Sequence, residues 1–346
     1  MKKIATVLTL TLLSLFSCRG YDNVTFDTLQ AILEADGMVQ LVDVRTPEEF
    51  AAGHIAGAVN IDWRSESFLD NAVALLDPDR VVIVYCRAGN RSAEASEKLE
   101  EQGFEVYNLI GGIESWVEGG APVTTYEVER FFTEGGAPVE ITLIKHGSLA
   151  IRYNGISIQV DPVTKHGKTT DYAADFPKAD VILLTHEHGD HLDKNAIEVL
   201  KKESTVLVSN KRCAELLGWG TALSNGESAD LAEDIKVEAV PAYNTTDGHT
   251  QFHPKGRDNG YVLNIDGLRI YIAGDTEDIP EMAELKDIDV AFLPVNQPYT
   301  MTVEQCIRAA RLFSPKVLIP YHFGNTDLSE LPSRLSGIKV LLRQMQ

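Results

Sequence analysis

Three histidines and an aspartate fall within six residues in His186-Glu187-His188-Gly189-Asp190-His191. Imidazole nitrogens and carboxylate oxygens at that density are ligands for a divalent cation. Alternation sets His186 and His188 on one side, so Asp190 and His191 reach a second point close by. Two later segments carry donors of the same kind, Gly274-Asp275-Thr276 and Tyr321-His322-Phe323-Gly324. Asp275 can place a carboxylate between two ions, and His322 can complete the second position. Asp161, in Asp161-Pro162, is placed to orient a histidine from behind. A bound cation brings the pKa of water towards neutrality, so the chemistry expected is hydrolysis of an ester, lactone, amide or phosphoester. Asp190 then either accepts a proton or holds the second ion. His146 ends a strand and could face the same cleft, whereas His166 reads as a loop residue.

A second reactive group lies far upstream, in Cys86-Arg87-Ala88-Gly89-Asn90-Arg91-Ser92. The segment follows an apolar run and opens a helix at Ser92. A cysteine below a helix N-terminus and beside two guanidinium groups is stabilised as a thiolate. Gly89 lets backbone amides turn inward and cradle an anion.

Both motifs need elements to hold them. In the first region, residues 40–44, 81–85 and 106–109 read as buried strands, with helical spacing over Ser92 to Gln102 (Ala93, Ala95, Leu99). Strand–helix alternation implies a parallel sheet covered by helices. The second region opens with short strands at 141–144, 149–153 and 156–160. Further strands follow at 181–184, 206–208, 237–240, 261–265, 269–272, 290–293 and 317–319. Helices are expected near 194–202, 210–217 and 303–312. Each donor motif falls just after a strand, where α/β folds place their sites. Residues 124–138 are polar and end in Gly135-Gly136-Ala137-Pro138, and are expected to be a linker. The division expected is therefore 1–18, 22–123, 124–138 and 139–346.

The chain has 346 residues, 44% hydrophobic and 24% charged, which excludes a disordered, collagen-like or coiled-coil protein. Its formal net charge of -20 argues against nucleic-acid binding, which needs a basic surface. Lys2 and Lys3 precede an apolar stretch, Ile4 to Phe16, too short to span a bilayer. This is the pattern of an export signal. The four cysteines, Cys18, Cys86, Cys213 and Cys306, are too far apart for a disulfide framework. Cys213 and Cys306 read as small buried hydrophobes.

Leu15-Phe16-Ser17-Cys18 resembles the lipobox of bacterial lipoproteins. That resemblance implies lipidation of Cys18, export, and contact with a membrane only through the anchor. Residues 22–122 resemble the rhodanese homology domain. The matching pieces are Asp43-Val44-Arg45, Pro47-Glu48-Glu49-Phe50, the segment from Gly53 to Ile61, the Cys86 loop, and Gly111-Gly112-Ile113-Glu114-Ser115-Trp116. The resemblance implies that Cys86 carries a persulfide in a loop made by Arg87, Ala88, Gly89, Asn90 and Arg91, with thiol or persulfide donors and acceptors as partners. Four residues separate Cys86 from Arg91. Related phosphatases have one more, and the smaller cradle suits sulfur better. Asp43 is expected to pin an arginine of the loop, and His54 to be structural.

Residues 139–343 resemble the metallo-β-lactamase superfamily, most of all its lactonase-like branch, which includes ascorbate-6-phosphate lactonase-type proteins. The pieces are Asp161-Pro162, the His186 motif, Ala242-Tyr243-Asn244, Phe252-His253-Pro254-Lys255-Gly256, the Asp275 motif, Pro294-Val295 and Pro320-Tyr321-His322. The fold class expected is α/β: a rhodanese-like parallel sheet followed by an αβ/βα sandwich. The resemblance implies one or two Zn2+ ions, with Mn2+ and Fe2+ compatible with the same donors. The ligands would be His186, His188, Asp190, His191, His253, Asp275 and His322. Many members carry a third histidine where this chain has Asn244, and His253 is taken over His249 because Phe252-His253-Pro254 presents it rigidly. Lys255 and Arg257 could meet an anionic small-molecule substrate, and Tyr299 could line the pocket. A different class, an iron persulfide dioxygenase, also pairs these two domain types, but in the opposite order. A sulfur-transfer or binding protein with a non-catalytic metal site is the remaining alternative.

Overall fold

The protein is described here by a computed structural model covering residues 21–35, 39–343 and 345. The predicted signal segment and Cys18 lie outside the described residues. Contacts divide the chain into two units that meet between Thr125 and Tyr126.

The first unit runs β1 (Asp22–Val24), α1 (Phe26–Ala35), β2 (Gln40–Asp43), α2 (Pro47–Ala51), β3 (Ala58–Asn60), α3 (Phe68–Leu75), β4 (Val82–Tyr85), α4 (Asn90–Glu101), β5 (Val106–Leu109) and α5 (Gly112–Glu118). Its five strands form one sheet in the order β1-β5-β4-β2-β3, all parallel. Such a sheet is covered on both faces, so its strands read as unbroken apolar runs. Val82 and Val84 pack with Ala95 and Leu99 of α4. Ile83 and Tyr85 turn the other way, against Leu29, Phe50 and Trp116. The helix after Cys86 starts at Asn90, two residues before the expected Ser92.

The second unit runs β6 (Glu127–Phe132), β7 (Pro138–Lys145), β8 (Ser148–Tyr153), β9 (Ile156–Val160), α6 (Tyr172–Asp175), β10 (Val181–Leu184), α7 (Lys194–Leu200), β11 (Val206–Ser209), α8 (Lys211–Leu217), β12 (Thr221–Ala222), β13 (Ser228–Ala232), β14 (Ile235–Ala242), β15 (Asp258–Ile265), β16 (Leu268–Ile272), β17 (Val290–Pro294), α9 (Val303–Phe313), β18 (Val317–Tyr321), α10 (Leu331–Arg334) and β19 (Lys339–Val340). Two seven-stranded sheets result, β12 to β6 in descending order and β13 to β19 in ascending order. Ile141, Leu149, Ile158 and Leu183 of one sheet share a core with Val237, Leu263, Ile270 and Phe292 of the other. The alternate residues face outward under helices. Ile182 and Leu184 meet Ile197 and Leu200 of α7, while Tyr271 and Leu293 meet Ile307 and Phe313 of α9. This is the αβ/βα sandwich.

The expected linker is not a linker. Within 124–138, β6 pairs antiparallel with β7, from Glu127 opposite Leu143 to Phe132 opposite Pro138. Edge strands carry charge to block further pairing, and here that charge disguises a strand as a loop. Arg130 pairs with Glu140, and Glu129 with Arg343.

Candidate metal centre and cysteine loop

The donors of the second unit emerge where strands end. β7 stops before His146, β9 before Asp161, and β18 before His322. Each of these three residues takes a positive φ, 45°, 43° and 48° respectively. Left-handed backbone is unfavourable for residues with a side chain and concentrates at functional sites. Here it turns the chain sharply off the strand and folds the side chain across the sheet ends. Gly274 (φ 65°) does the same before Asp275, and a Cβ there would lie 2.7 Å from the Asn259 carbonyl.

Asp275 is the hub, and is itself buried. Its Oδ2 lies 3.2 Å from His322 Nε2, 3.4 Å from His253 Nε2 and 3.8 Å from His186 Nε2. Its Oδ1 lies 3.3 Å from His191 Nε2. Around it the donors fall into three overlapping sets whose ligand atoms lie within 4.8 Å of one another: His186, His188 and His253; His146, Asp190, His191 and His322; and His186, His191 and Asp275. The sequence-predicted ligands therefore converge. His146 joins them as well, with Nε2 3.1 Å from Asp190 Oδ2 and its carbonyl accepting from the His322 amide.

A divalent cation fits these residues. Nε2 of His186, His191 and His322, Nδ1 of His322 and Oδ1 of Asp275 are all buried without a hydrogen-bond partner. Unpaired buried polar atoms are costly, and several converging on one another require something to satisfy them. The imidazoles are also braced from behind, as metal ligands are. His191 Nδ1 contacts Asp161 Oδ2 at 2.8 Å, and His253 Nδ1 contacts Asp258 Oδ2 at 3.0 Å. Thr185 donates its amide and hydroxyl to Asp161, fixing that carboxylate.

The electrostatics follow from this crowding. Burial lowers the His191 pKa, but Asp275 and Asp161 outweigh it and raise the group. Burial and the neighbouring imidazoles push His186 well down. Burial raises Asp190, but the His146 bond and the charge of His191 reverse the shift and hold it far below the usual carboxylate range.

Other expected residues take other roles. Asn244 donates to the carbonyls of Tyr299 and His249 and ties the loop ahead of His253. His249 stands outside the three donor sets, with Nδ1 3.4 Å from Glu277 Oε1. Lys255 pairs with Glu281, and Arg257 with Asp258. Tyr299 is 46% exposed and meets Phe252 edge-on, leaving an aromatic surface open. The His166 ring lies tilted against that of His146, with centroids 3.9 Å apart. Its loop is clamped by the buried Lys145, which donates to the carbonyls of Thr164 and Lys168.

Glu277 is the residue that spacing alone did not single out. Fully buried, it accepts from the amides of Thr245 and Thr246 and from the Thr245 hydroxyl. Burial raises its pKa, but these donors bring it to about 2. It anchors the segment that delivers His253. Glu277→Ala is expected to weaken metal retention about ten- to a hundredfold, in the range of lost ligand-supporting contacts. Competition with a chromogenic chelator measures this, and unchanged retention would show that the loop holds without it.

In the first unit Cys86 is buried at 2% exposure. Its Sγ accepts from the Gly89 amide at 3.2 Å and lies 3.5 Å from Ser92 Oγ. Gly89 adopts φ 93° to aim that amide inward. Burial raises the thiol pKa, but the Ser92 hydroxyl and the amides of Ser92, Ala88 and Gly89 bring it below its ordinary value. Helix α5 closes the loop from behind, where the Ile113 and Glu114 amides donate to the Cys86 and Arg87 carbonyls. Gly112 permits this approach, since a Cβ there would sit 2.4 Å from the Cys86 oxygen.

Asp43 does not pin a loop arginine. It pairs with Arg45, two residues past the end of its strand, and Glu49 of α2 takes Arg91 through two bonds of 2.7 and 2.8 Å. Arg87 is mostly exposed and reaches Glu114. His54 stacks on Phe50 at 3.7 Å, a structural place. Cys213 and Cys306 are buried, and burial pushes the Cys306 thiol up to about 12.

The Arg91 contact holds Glu49 down at about 2. A carboxylate with a depressed folded pKa stabilises the fold above its unfolded value of about 4.5 and loses that contribution as pH falls towards 2. Glu49→Gln should therefore lower the first unit's stability at neutral pH, modestly because the pair is partly exposed, and flatten the acid limb of its unfolding between those values, so that the two proteins converge towards pH 2. Circular dichroism against pH measures it, and an identical acid limb in both proteins would contradict it.

Residues 140–322, more than half of the chain, match the beta-lactamase superfamily domain. The chain belongs to the beta-lactamase superfamily. The superfamily domain is 32% identical over 195 residues to a UPF0173 metal-dependent hydrolase of Geobacillus thermodenitrificans, covering 54% of this chain and 86% of that protein. It is also similar to a crystal structure of a metal-dependent hydrolase from Parabacteroides distasonis, with 55% identity and a TM-score of 0.62, covering 64% of this chain and all of the other. A metallo hydrolase of Ignicoccus hospitalis, Igni18, matches with 26% identity and a TM-score of 0.52, over 60% of this chain and 95% of that one. Residues 25–119 match the rhodanese-like domain. The beta-lactamase superfamily domain is thus a metal-dependent hydrolase, joined to a rhodanese-like domain.

Proposed function

We propose that the second unit hydrolyses a small-molecule ester, lactone or phosphoester, and that the first carries sulfane sulfur on Cys86. The observation behind the hydrolytic reading is the placement of Asp275 within 3.2–3.8 Å of four imidazole nitrogens. His186, His188 and His253 would hold one ion. Asp190, His191 and His322, with His146 beside them, would hold a second, and Asp275 would lie between. A divalent ion there supplies Lewis acidity and brings the pKa of water towards neutrality. Asp161 and Asp258 fix the ring orientations of His191 and His253. Asp190 Oδ2, held by His146 at the partly exposed edge, stays ionised and would serve as a donor to the second ion. Tyr299 and Phe252 offer an aromatic surface for the apolar part of a substrate.

The cysteine chemistry is independent of the metal. The Cys86 thiolate attacks the outer sulfur of a donor such as thiosulfate, releases sulfite, and leaves a persulfide held by the loop amides. A thiophilic acceptor then takes the terminal sulfur and restores the thiolate.

A panel of lactones, carboxylic esters and phosphoesters on the metal-loaded chain tests the hydrolytic reading. Turnover of one class with zinc or manganese supports it. No turnover, with oxygen uptake on glutathione persulfide by the iron-loaded chain, overturns it. We further propose export with a lipid on Cys18. Metabolic labelling with a palmitate analogue, lost in Cys18→Ala, is the expected result, and an unlabelled wild-type chain would contradict it.

A further inference from the structure

We propose that Asn108 tunes the reactivity of Cys86 by competing with its sulfur for the one hydroxyl proton of Ser92. The inference rests on the sulfur-carrier reading of Cys86 and assigns a positioning residue to it. Ser92 Oγ lies 2.6 Å from Asn108 Oδ1 and 3.5 Å from Cys86 Sγ. Ser92 is fully buried, and Asn108 and Cys86 nearly so, so no bulk water relieves the competition. A serine hydroxyl has a single proton to donate. The shorter contact gives Asn108 the stronger claim on that proton while the sulfur is a neutral thiol, and a thiolate competes for it. Asn108 is itself oriented, because its Nδ2 donates to Asn23 Oδ1 at 3.0 Å and so turns its oxygen towards Ser92. The relay therefore runs from β1 through β5 to the first turn of α4 and ends on the sulfur.

Two arrangements follow. With the proton on the Asn108 side, the Ser92 oxygen presents lone pairs to the sulfur and favours the protonated thiol. With the hydroxyl turned to the sulfur, it donates to a thiolate or persulfide anion and stabilises it. Asn108 thus holds back part of the stabilisation that Ser92 can give. The backbone amides of the loop are fixed donors and do not share in this exchange.

The charged groups around the sulfur are fixed too. Arg91 on α4 acts on it and is held by Glu49 of α2. Arg87 is paired with Glu114 of α5, and the Asp43–Arg45 pair stands at the end of the adjacent β2. The Asn108 side chain bonds to Ser92 and Asn23 rather than to any of these charged groups, so its replacement acts through Ser92.

The test is the pH dependence of Cys86 alkylation by iodoacetamide in the full chain, followed by mass spectrometry of the Cys86 peptide. The thiolate forms the carbon–sulfur bond and iodide leaves, so the rate reports the thiolate fraction. Asn108→Leu should move the inflection to lower pH and raise the rate below it roughly three- to tenfold, as expected for one hydrogen bond gained by an anion. Ser92→Ala should move it the other way. Asn108→Leu in the Ser92→Ala background should do nothing. Should the leucine variant not fold, Asn108→Asp carries the test, because a carboxylate holds the proton more firmly and should shift the inflection upward. An unchanged or raised inflection in Asn108→Leu, an equal effect in the Ser92→Ala background, or a lowered inflection in Asn108→Asp would overturn the proposal. Thiosulfate turnover, measured separately, tests the sulfur-carrier reading, whatever the alkylation profile shows.

Discussion

Asp275→Ala is expected to yield a chain that retains little or no divalent metal and has lost hydrolase activity by well over a hundredfold. Removing a group that merely supports a ligand costs ten- to a hundredfold, and Asp275 is more than a support. It faces His186, His191, His253 and His322 at once. Its loss takes one shared oxygen donor from both candidate positions and leaves imidazoles facing each other across an empty centre. Atomic emission on the purified variant, beside a hydrolysis assay, measures both effects. The fold should survive, because the sandwich core lies between the sheets and does not include Asp275. A variant that keeps its metal, or loses activity while keeping metal, would place the ligand role elsewhere.

The second large effect belongs to Cys86. Cys86→Ser should reduce thiosulfate-to-cyanide sulfur transfer to background while leaving metal content and hydrolysis intact. Serine keeps the size and a hydrogen-bonding atom but cannot form a persulfide. The surrounding cradle is built from the Gly89 amide and the Ser92 hydroxyl, neither of which the substitution removes. Residual transfer at the wild-type rate would move the sulfur chemistry away from this loop, since Cys213 and Cys306 are buried and Cys306 is held as a thiol by its surroundings.

Much of the candidate site was legible because strand ends announce themselves. Val181–Leu184 is an apolar run followed at once by the His186 motif, and the same holds for Asp275 after Leu268–Ile272 and His322 after Val317–Tyr321. Strand and ligand sit together in the sequence, so spacing alone located them. His253 was harder, because it stands eleven residues beyond the end of β14. Its delivery depends on Asn244 and Glu277, whose contacts are long-range in sequence. His146 stayed open for a different reason. Its direction follows from a positive φ, and nothing in the residue type signals that.

The misreadings have the same physical root. β6 looked like a linker because its Glu127, Glu129 and Arg130 are what an exposed sheet edge needs. Asp43 looked like a partner for the cysteine loop, yet the arginine two positions further on, just past the strand end, is nearer, and Glu49 from α2 reaches Arg91 instead. Which of several carboxylates meets a given guanidinium is decided by packing, beyond the reach of local pattern. Packing also accounts for Lys145, which is buried although a buried lysine is rare unless paired. Its partners are carbonyls of a loop some twenty residues on.

Anomalous diffraction from crystals of the metal-loaded full chain tests the central claim most directly. The account predicts a peak within coordination distance, about 2.0–2.2 Å, of His186, His188, His253 and Asp275, or of Asp190, His191, His322 and Asp275. A fully loaded crystal with its metal peak elsewhere, or with these imidazoles turned away from the ion, would contradict it.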